Sequence, residues 1–300
     1  MKSRWILNFV LLLVVLIVGA VVYFSPKQSQ QQVQDYEVSS LRLADMNAIS
    51  IEFPAQASLK FEKRDGFWYL QQPYAARADQ QLVGRLMSIV AARSKQKFPA
   101  DDAAKFGLDQ PKLVLRLNDA VFTFGTYNTV SQEQYVAYNG SVFMLPTIYA
   151  ENAQIQVTEF LDKNLFRPTE KVAGFDFGHL EQWQGTKLNV DLVDGSWKVS
   201  LPKAQAKQSE MQEWFDGFWR NIAAPRVEPD KIDKRMNYPY FDVKMQGGSK
   251  VRFYKVQESP ELLIYRDDEG LLYHLPSDLG FTLLNPPVNL PDDKKSAGAK

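Results

Sequence analysis

The chain has no cysteine and only two histidines among its 300 residues. No disulfide, thiolate zinc site, iron–sulfur cluster or thiol nucleophile is therefore possible, and most metallohydrolase ligand sets lack their histidines. An excess of charge of either sign is also missing. The 35 Lys and Arg balance the 35 Asp and Glu, so no global field selects for a polyanion such as nucleic acid. No G-x-S-x-G nucleophile elbow occurs. What is present is 45% apolar and 13% aromatic residues, a globular composition in a chain long enough for more than one domain.

The first strong signal is an uncharged stretch over residues 5–24, WILNFVLLLVVLIVGAVVYF. At about 1.5 Å per residue it is long enough to cross a hydrocarbon core of roughly 30 Å. Trp5, Tyr23 and Phe24 suit the two interfaces, and Lys2 and Arg4 ahead of the span place the N-terminus in the cytoplasm. The expectation is a single-pass signal-anchor over residues 1–24 with the bulk outside. A signal peptide cleaved after Ala20 is the rival, against which the apolar run continues past that site. A Gln-rich linker, 25–40, and a Pro-rich charged tail, 286–300, are expected to be flexible.

Between them the sequence repeats. Asp65-Gly66-x-Trp68 with Pro73 recurs as Asp194-Gly195-x-Trp197 with Pro202, at a shift of 129. Leu108-Asp-Gln-Pro111 matches Met236-Asn-Tyr-Pro239 at 128, and Gly140-x-x-Phe143-x-Leu145-Pro146 matches Gly270-x-x-Tyr273-x-Leu275-Pro276 at 130. Matched order with so little drift indicates two copies of one domain, 41–168 and 169–285. In each, alternating apolar residues lead into an Asp-Gly turn and a Trp strand, the pattern of a β-hairpin. A helix follows, expected over 79–95 and 208–224, with Leu82, Leu86 and Ile89 aligned to Met211, Phe215 and Phe218 on one face. Four more strands are expected at 113–117, 121–124, 135–138 and 142–145, and again at 241–245, 251–254, 262–266 and 271–275. Copy one is expected to end in a helix from about Ile148 to Leu165. The fold class is α+β: a transmembrane helix, then two tandem copies of a mostly antiparallel strand-and-helix domain.

Asp65, Gly66, Trp68, Leu70 and Pro73, then Ala78-Asp79 opening a helix, then Phe106-Gly107-Leu108-Asp109-x-Pro111 and Phe124-Gly125, resemble the domain of unknown function 4340 (DUF4340) family. The resemblance covers about residues 49–165 well and the second copy less closely, where the Gly-Leu-Asp-x-Pro element has become Met236-Asn237-Tyr238-Pro239 and Gly125 is replaced near Lys255. It implies an exported, membrane-anchored bacterial protein, with some members encoded beside auxiliary and permease parts of ABC transporters of the gliding-motility type. No catalytic, cofactor or ligand residue comes with it. Asp65, Gly66, Trp68, Pro73, Gly107, Pro111, Asp194, Gly195, Trp197 and Pro202 are read as turn, cap and packing residues.

Tests for chemistry come back structural. Ser94-x-x-Lys97 falls at the wrong end of its expected helix for a penicillin-binding-type nucleophile, and Ser200-x-x-Lys203 contains Pro202. On a strand His179 and Glu181 share a face that Asp176 does not, too few groups for a metal. His274 replaces Met144 of copy one, which suggests packing. Asp267-Asp268-Glu269-Gly270 reads as a turn, and Gly247-Gly248-Ser249-Lys250 opens no helix. Trp214 replaces Arg85, so it is either an exposed contact residue or buried against the other copy.

The expectation is a non-catalytic protein without metal or cofactor, held in the bacterial inner membrane by residues 5–24. Its periplasmic part contacts another envelope protein, which the family resemblance suggests is an ABC transporter component. The alternative is a groove between the copies that binds a glycan or small ligand through Trp214, Trp183 and nearby tyrosines. A glycosidase using carboxylates alone ranks third.

Overall fold

The structure, a computed structural model, describes residues 2–24, 35–201, 204 and 206–289. Most of the expected linker (25–34), most of the tail (290–300) and Pro202 lie outside the described residues. Helix α1 (Lys2–Phe24) runs unbroken through the apolar stretch. The side chains at both its ends lie outside the described set, and among the described residues no helix is long and apolar enough to cross a membrane.

The first half contains β1 (Tyr36–Glu37), β2 (Ala48–Phe53), β3 (Gln56–Arg64), β4 (Phe67–Gln72), β5 (Ala76–Arg77), α2 (Gln80–Met87), β6 (Arg93–Ser94), β7 (Lys97–Pro99), β8 (Leu113–Leu117), β9 (Ala120–Asn128), β10 (Glu133–Tyr138), β11 (Ser141–Pro146) and α3 (Ile148–Ala153). The second contains β12 (Val172–His179), β13 (Asn189–Val193), β14 (Ser196–Val199), α4 (Gln208–Trp214), β15 (Arg226–Pro229), β16 (Tyr240–Met245), β17 (Lys250–Gln257), β18 (Glu261–Arg266), β19 (Leu271–Pro276) and α5 (Ser277–Leu284). The molecule is thus mostly antiparallel sheet with a few helices, as the α+β reading requires.

Two large sheets carry the same strand order. The first runs β5-β4-β3-β2-β8-β9-β10-β11-β7 and the second β14-β13-β12-β16-β17-β18-β19-β15, so that, apart from β5, each strand of one has a counterpart in the other. The turns explain the pairing. Asp65 and Gly66 (φ 51° and 85°) and Asp194 and Gly195 (φ 50° and 75°) are all left-handed, the conformation that lets a two-residue loop match the twist of its strands. Apolar alternation then places Leu113, Leu115 and Leu117 on the inner face of β8, each no more than 1% exposed.

The helices depart from expectation. Asp79 caps α2, accepting from the Gln81 and Leu82 amides, but the α-helix stops at Met87 and passes through a 3-10 turn (Ser88–Ala91) into β6. The extended backbone is held from outside: Val38 donates to the Ala92 carbonyl, and the buried Ser94 hydroxyl bonds the Met144 carbonyl. In copy two the α-helix gives way at Phe215 to a π turn, Phe215–Trp219, which turns both rings into the core. The helix expected from Ile148 to Leu165 ends at Ala153. After a 3-10 turn (Val157–Phe160), residues 161–164 run extended and bridge Ala78 of one half and Ala223 of the other. Helix α5, which follows β19 as α3 follows β11, is absent from the sequence reading.

One contiguous apolar core joins the halves. Its densest part surrounds Phe175, whose ring lies 4.7 Å from Trp219, 5.2 Å from Trp214 and 5.3 Å from Phe177.

Candidate functional site

The polar centre of the molecule lies where the connector between the halves meets both sheets. Arg77 on β5 is 6% exposed. It donates through Nε to Glu269 at 3.0 Å and through Nη2 to the Asn164 carbonyl at 2.6 Å and the Tyr273 hydroxyl at 3.0 Å, and it also pairs with Asp162. Arg266, at the end of β18, is fully buried and reaches Glu170 at 2.6 Å, Asp268 at 2.8 Å and the Leu165 carbonyl at 2.5 Å. Arg167 joins the two sets, bonding Glu269 at 2.9 Å and Asp268 at 3.0 Å.

Three guanidiniums and four carboxylates therefore saturate one another. Burial works to lower the Arg77 guanidinium, but Tyr273, Glu269 and Asp162 outweigh it and hold the group above its ordinary value. Arg266 is raised likewise, against burial, by Asp268 and Glu170. Burial would raise the Asp268 carboxyl, yet Arg266 and Arg167 keep it below the usual carboxylate range. The Tyr273 phenol is pushed well up by burial and stays neutral. Such a cluster fixes position: removing one member strands a buried opposite charge. Arg167 and Asp268 lie at its rim, 40% and 42% exposed.

Two cavities adjoin this frame and a third lies away from it. One of about 250 Å³ is lined by Asp65, Trp68, Tyr69, Arg77 and Arg167, on the first half beside the connector. One of about 560 Å³ lies beside Phe166, Arg220 and Gln246. The third, about 1010 Å³, opens at the end of the first sheet by Phe53 and Gln154.

The expected interaction residues are corrected by the structure. Trp214 and Trp183 are 3% and 7% exposed, so neither offers a ring face to a partner or sugar. Their indoles are spent on α5: Trp214 donates to the Thr282 carbonyl at 2.8 Å, Trp219 to Leu283 at 3.1 Å and Trp183 to Leu284 at 3.0 Å. The last carbonyls of a helix have no partner within it, and a buried helix end needs donors from elsewhere. Trp68 and Trp197 are core residues, as expected. Gly107 (φ 67°) closes the 3-10 turn Ala104–Phe106, and a Cβ there would come within 2.3 Å of the Thr126 methyl. Pro73 lines the third cavity, and Pro111 stands just before β8.

Other candidates are occupied structurally. His179 stacks on Tyr240 at 4.2 Å, Asp176 accepts from the Gly178 amide and Glu181 pairs with Lys255. His274 is buried between Glu228 and Glu261, each at 2.9 Å. Among the described residues no group of three or more His, Cys, Asp or Glu is placed to hold a metal ion.

Sequence reasoning missed two sets of residues. Gln80 and Gln208, which bracket Trp68 and Trp197, are 128 positions apart and so lie within the repeat shift. The arginine cluster has no such signal, because Arg266 occupies the strand position that Tyr138 fills in the first half. The Asp267–Gly270 turn is a turn as expected, and it also delivers Asp268 and Glu269 to the cluster.

No curated protein and no solved structure matches this chain. The family described as a domain of unknown function (DUF4340) matches residues 68–234, more than half of the chain. The protein is a member of the DUF4340 family.

Proposed function

We propose that the protein is a non-catalytic interaction or assembly component of a bacterial envelope complex, held in the inner membrane by its N-terminal helix with its bulk in the periplasm. The observation that carries this reading is the Arg77–Arg167–Arg266 cluster. It uses the strongest polar groups of the interior to lock two sheets together rather than to present chemistry. A rigid body of that kind suits docking to another protein. The anchor is supported by the 20 uncharged residues at 5–24 and by the continuous helix Lys2–Phe24. The two corresponding strand orders support duplication of one domain. Family analogy supplies the partner class, an ABC transporter component.

The test is chemical crosslinking of the full-length protein in its native membrane, followed by purification and mass spectrometry. One stoichiometric membrane complex is the expected result. Recovery of the protein alone, or its release from membranes by alkaline carbonate, overturns the assembly reading or the anchor respectively.

A further inference from the structure

The cavity of about 1010 Å³ lies between the β2–β3 turn and the segment Gln154–Thr158 that follows α3. Lys112 is the one charged residue in its lining. Gln134 lies in its wall and is 7% exposed. Its Nε2 donates to the Gly125 carbonyl at 3.0 Å, and its Oε1 accepts no hydrogen bond from a described residue. That oxygen is not one of the fully buried atoms without a partner, so it keeps access to the cleft.

The second half has the same construction with this place filled. Leu284, at the end of α5, stands where Gln154 stands after α3. The β12–β13 connection is longer than the β2–β3 turn and contains the 3-10 turn Glu181–Trp183. Trp183 is buried there, and its indole N–H bonds the Leu284 carbonyl. Glu181 of the same turn reaches the Lys255 ammonium at 2.8 Å. Leu262, which holds the strand position of Gln134, is fully buried. One copy thus carries its own plug, whereas the other presents an open cleft with a free acceptor and a cation.

We propose that the first-half cavity receives a turn of a partner protein built like the Glu181–Trp183 plug: an aromatic side chain with an N–H donor, and a carboxylate beside it. The donor meets Oε1 of Gln134 or the Gln154 carbonyl, the ring covers Phe53 and Leu59, and the carboxylate meets Lys112. The cavity volume exceeds that of one aromatic side chain, which fits a turn rather than a lone ring. This names the kind of partner for the interaction reading above and rests on it.

The chain supplies its own probe, the peptide LEQWQGTKL of residues 180–188. Because the protein has no cysteine, full-length Ala57→Cys in detergent micelles takes a single trifluoromethyl tag at the cavity mouth. A saturable fluorine chemical-shift change with the peptide is expected. It should weaken at least about tenfold when the peptide Trp is replaced by Ala, and likewise in a protein also carrying Ala55→Trp, an exposed substitution that fills the cleft. A Glu-to-Gln peptide should bind more weakly and with less salt dependence. No saturable shift at millimolar peptide overturns the proposal. So does N-acetyltryptophanamide binding as tightly as the peptide, because the site then takes a free small ligand. Crosslinking separates the two readings. A partner recovered equally by wild type and Ala55→Trp overturns the cavity proposal alone, and no partner from either overturns the interaction reading.

Discussion

Gln80 holds both backbone groups of Trp68: its Oε1 accepts from the Trp68 amide at 2.9 Å and its Nε2 donates to the Trp68 carbonyl at 3.1 Å. Gln208 does the same for Trp197, at 2.7 Å and 2.6 Å. A carboxamide carries a donor and an acceptor as a peptide group does, so each glutamine stands in for a neighbouring strand. Because each is the first residue of its helix, the start of the helix is tied to the strand that buries the tryptophan.

Gln208→Ala should cost about 2 kcal/mol, since two backbone groups beside a buried ring lose partners, and Gln80→Ala somewhat less, since the Trp68 carbonyl keeps the Ala78 amide. Gln80→Glu keeps the acceptor but sets a carboxylate oxygen against the Trp68 and Ala78 carbonyls, so a loss at least as large as that of Gln80→Ala is expected. The check is the urea midpoint with an unchanged m value. Equal stability of Gln80→Ala and wild type would show that water replaces the bracket without loss.

Arg77→Met should destabilise the protein by about 3 kcal/mol, because it leaves buried carboxylates at Glu269 and Asp162 short of a partner. Adding Glu269→Leu should recover part of that loss, since the stranded charge is then gone. Chemical denaturation of the two single variants and the double variant measures the coupling. Simple additivity would mean that the pair does not act as one unit.

Acid should loosen the cluster. Asp268 has a folded-state pKa below its unfolded value, so its contribution is present above the unfolded pKa of about 3.9 and is lost as pH falls through the folded one. Glu181, held down by Lys255 against burial, acts in the same direction. Tyr273 has the opposite sign: its raised folded pKa gives stability that is complete below the unfolded value of about 10 and is lost as pH rises through the folded one. Thermal unfolding across pH should therefore fall away at both ends, and Asp268→Asn should flatten the acid limb.

Trp214→Phe keeps the ring in the core but removes the N–H that caps Thr282. A loss of about 1–2 kcal/mol is expected, and amide hydrogen exchange should speed up first within α5. Exchange that accelerates uniformly through the second sheet, with no excess in α5, would show that the indole bond is not what holds the helix end.

The turns and strands were legible because their causes are local. Asp65-Gly66 and Asp194-Gly195 must adopt positive φ wherever a two-residue loop joins strands, and Leu113, Leu115 and Leu117 show their inner face by alternation alone. Helix ends were less legible. Nothing near Ser88 breaks a helix; the chain leaves it because Val38 and Met144 offer backbone partners from distant strands. Ile148 to Leu165 has the apolar content of a helix, yet residues 161–164 are drawn out straight by bridges to Ala78 and Ala223.

The sequence by itself determined the class, the recurrence of the Asp-Gly-x-Trp pattern and the hairpins, since each follows from the spacing of apolar residues and the conformations that Asp-Gly allows. It could not determine whether Trp214 faced solvent, because a tryptophan on a helix is buried or exposed according to what packs on it, and that is α5. Nor could it assemble Arg77, Arg167 and Arg266 around Glu269. Opposite charges so far apart in the chain meet only when two sheets dock, and only the removal of water between them makes their pairing obligatory.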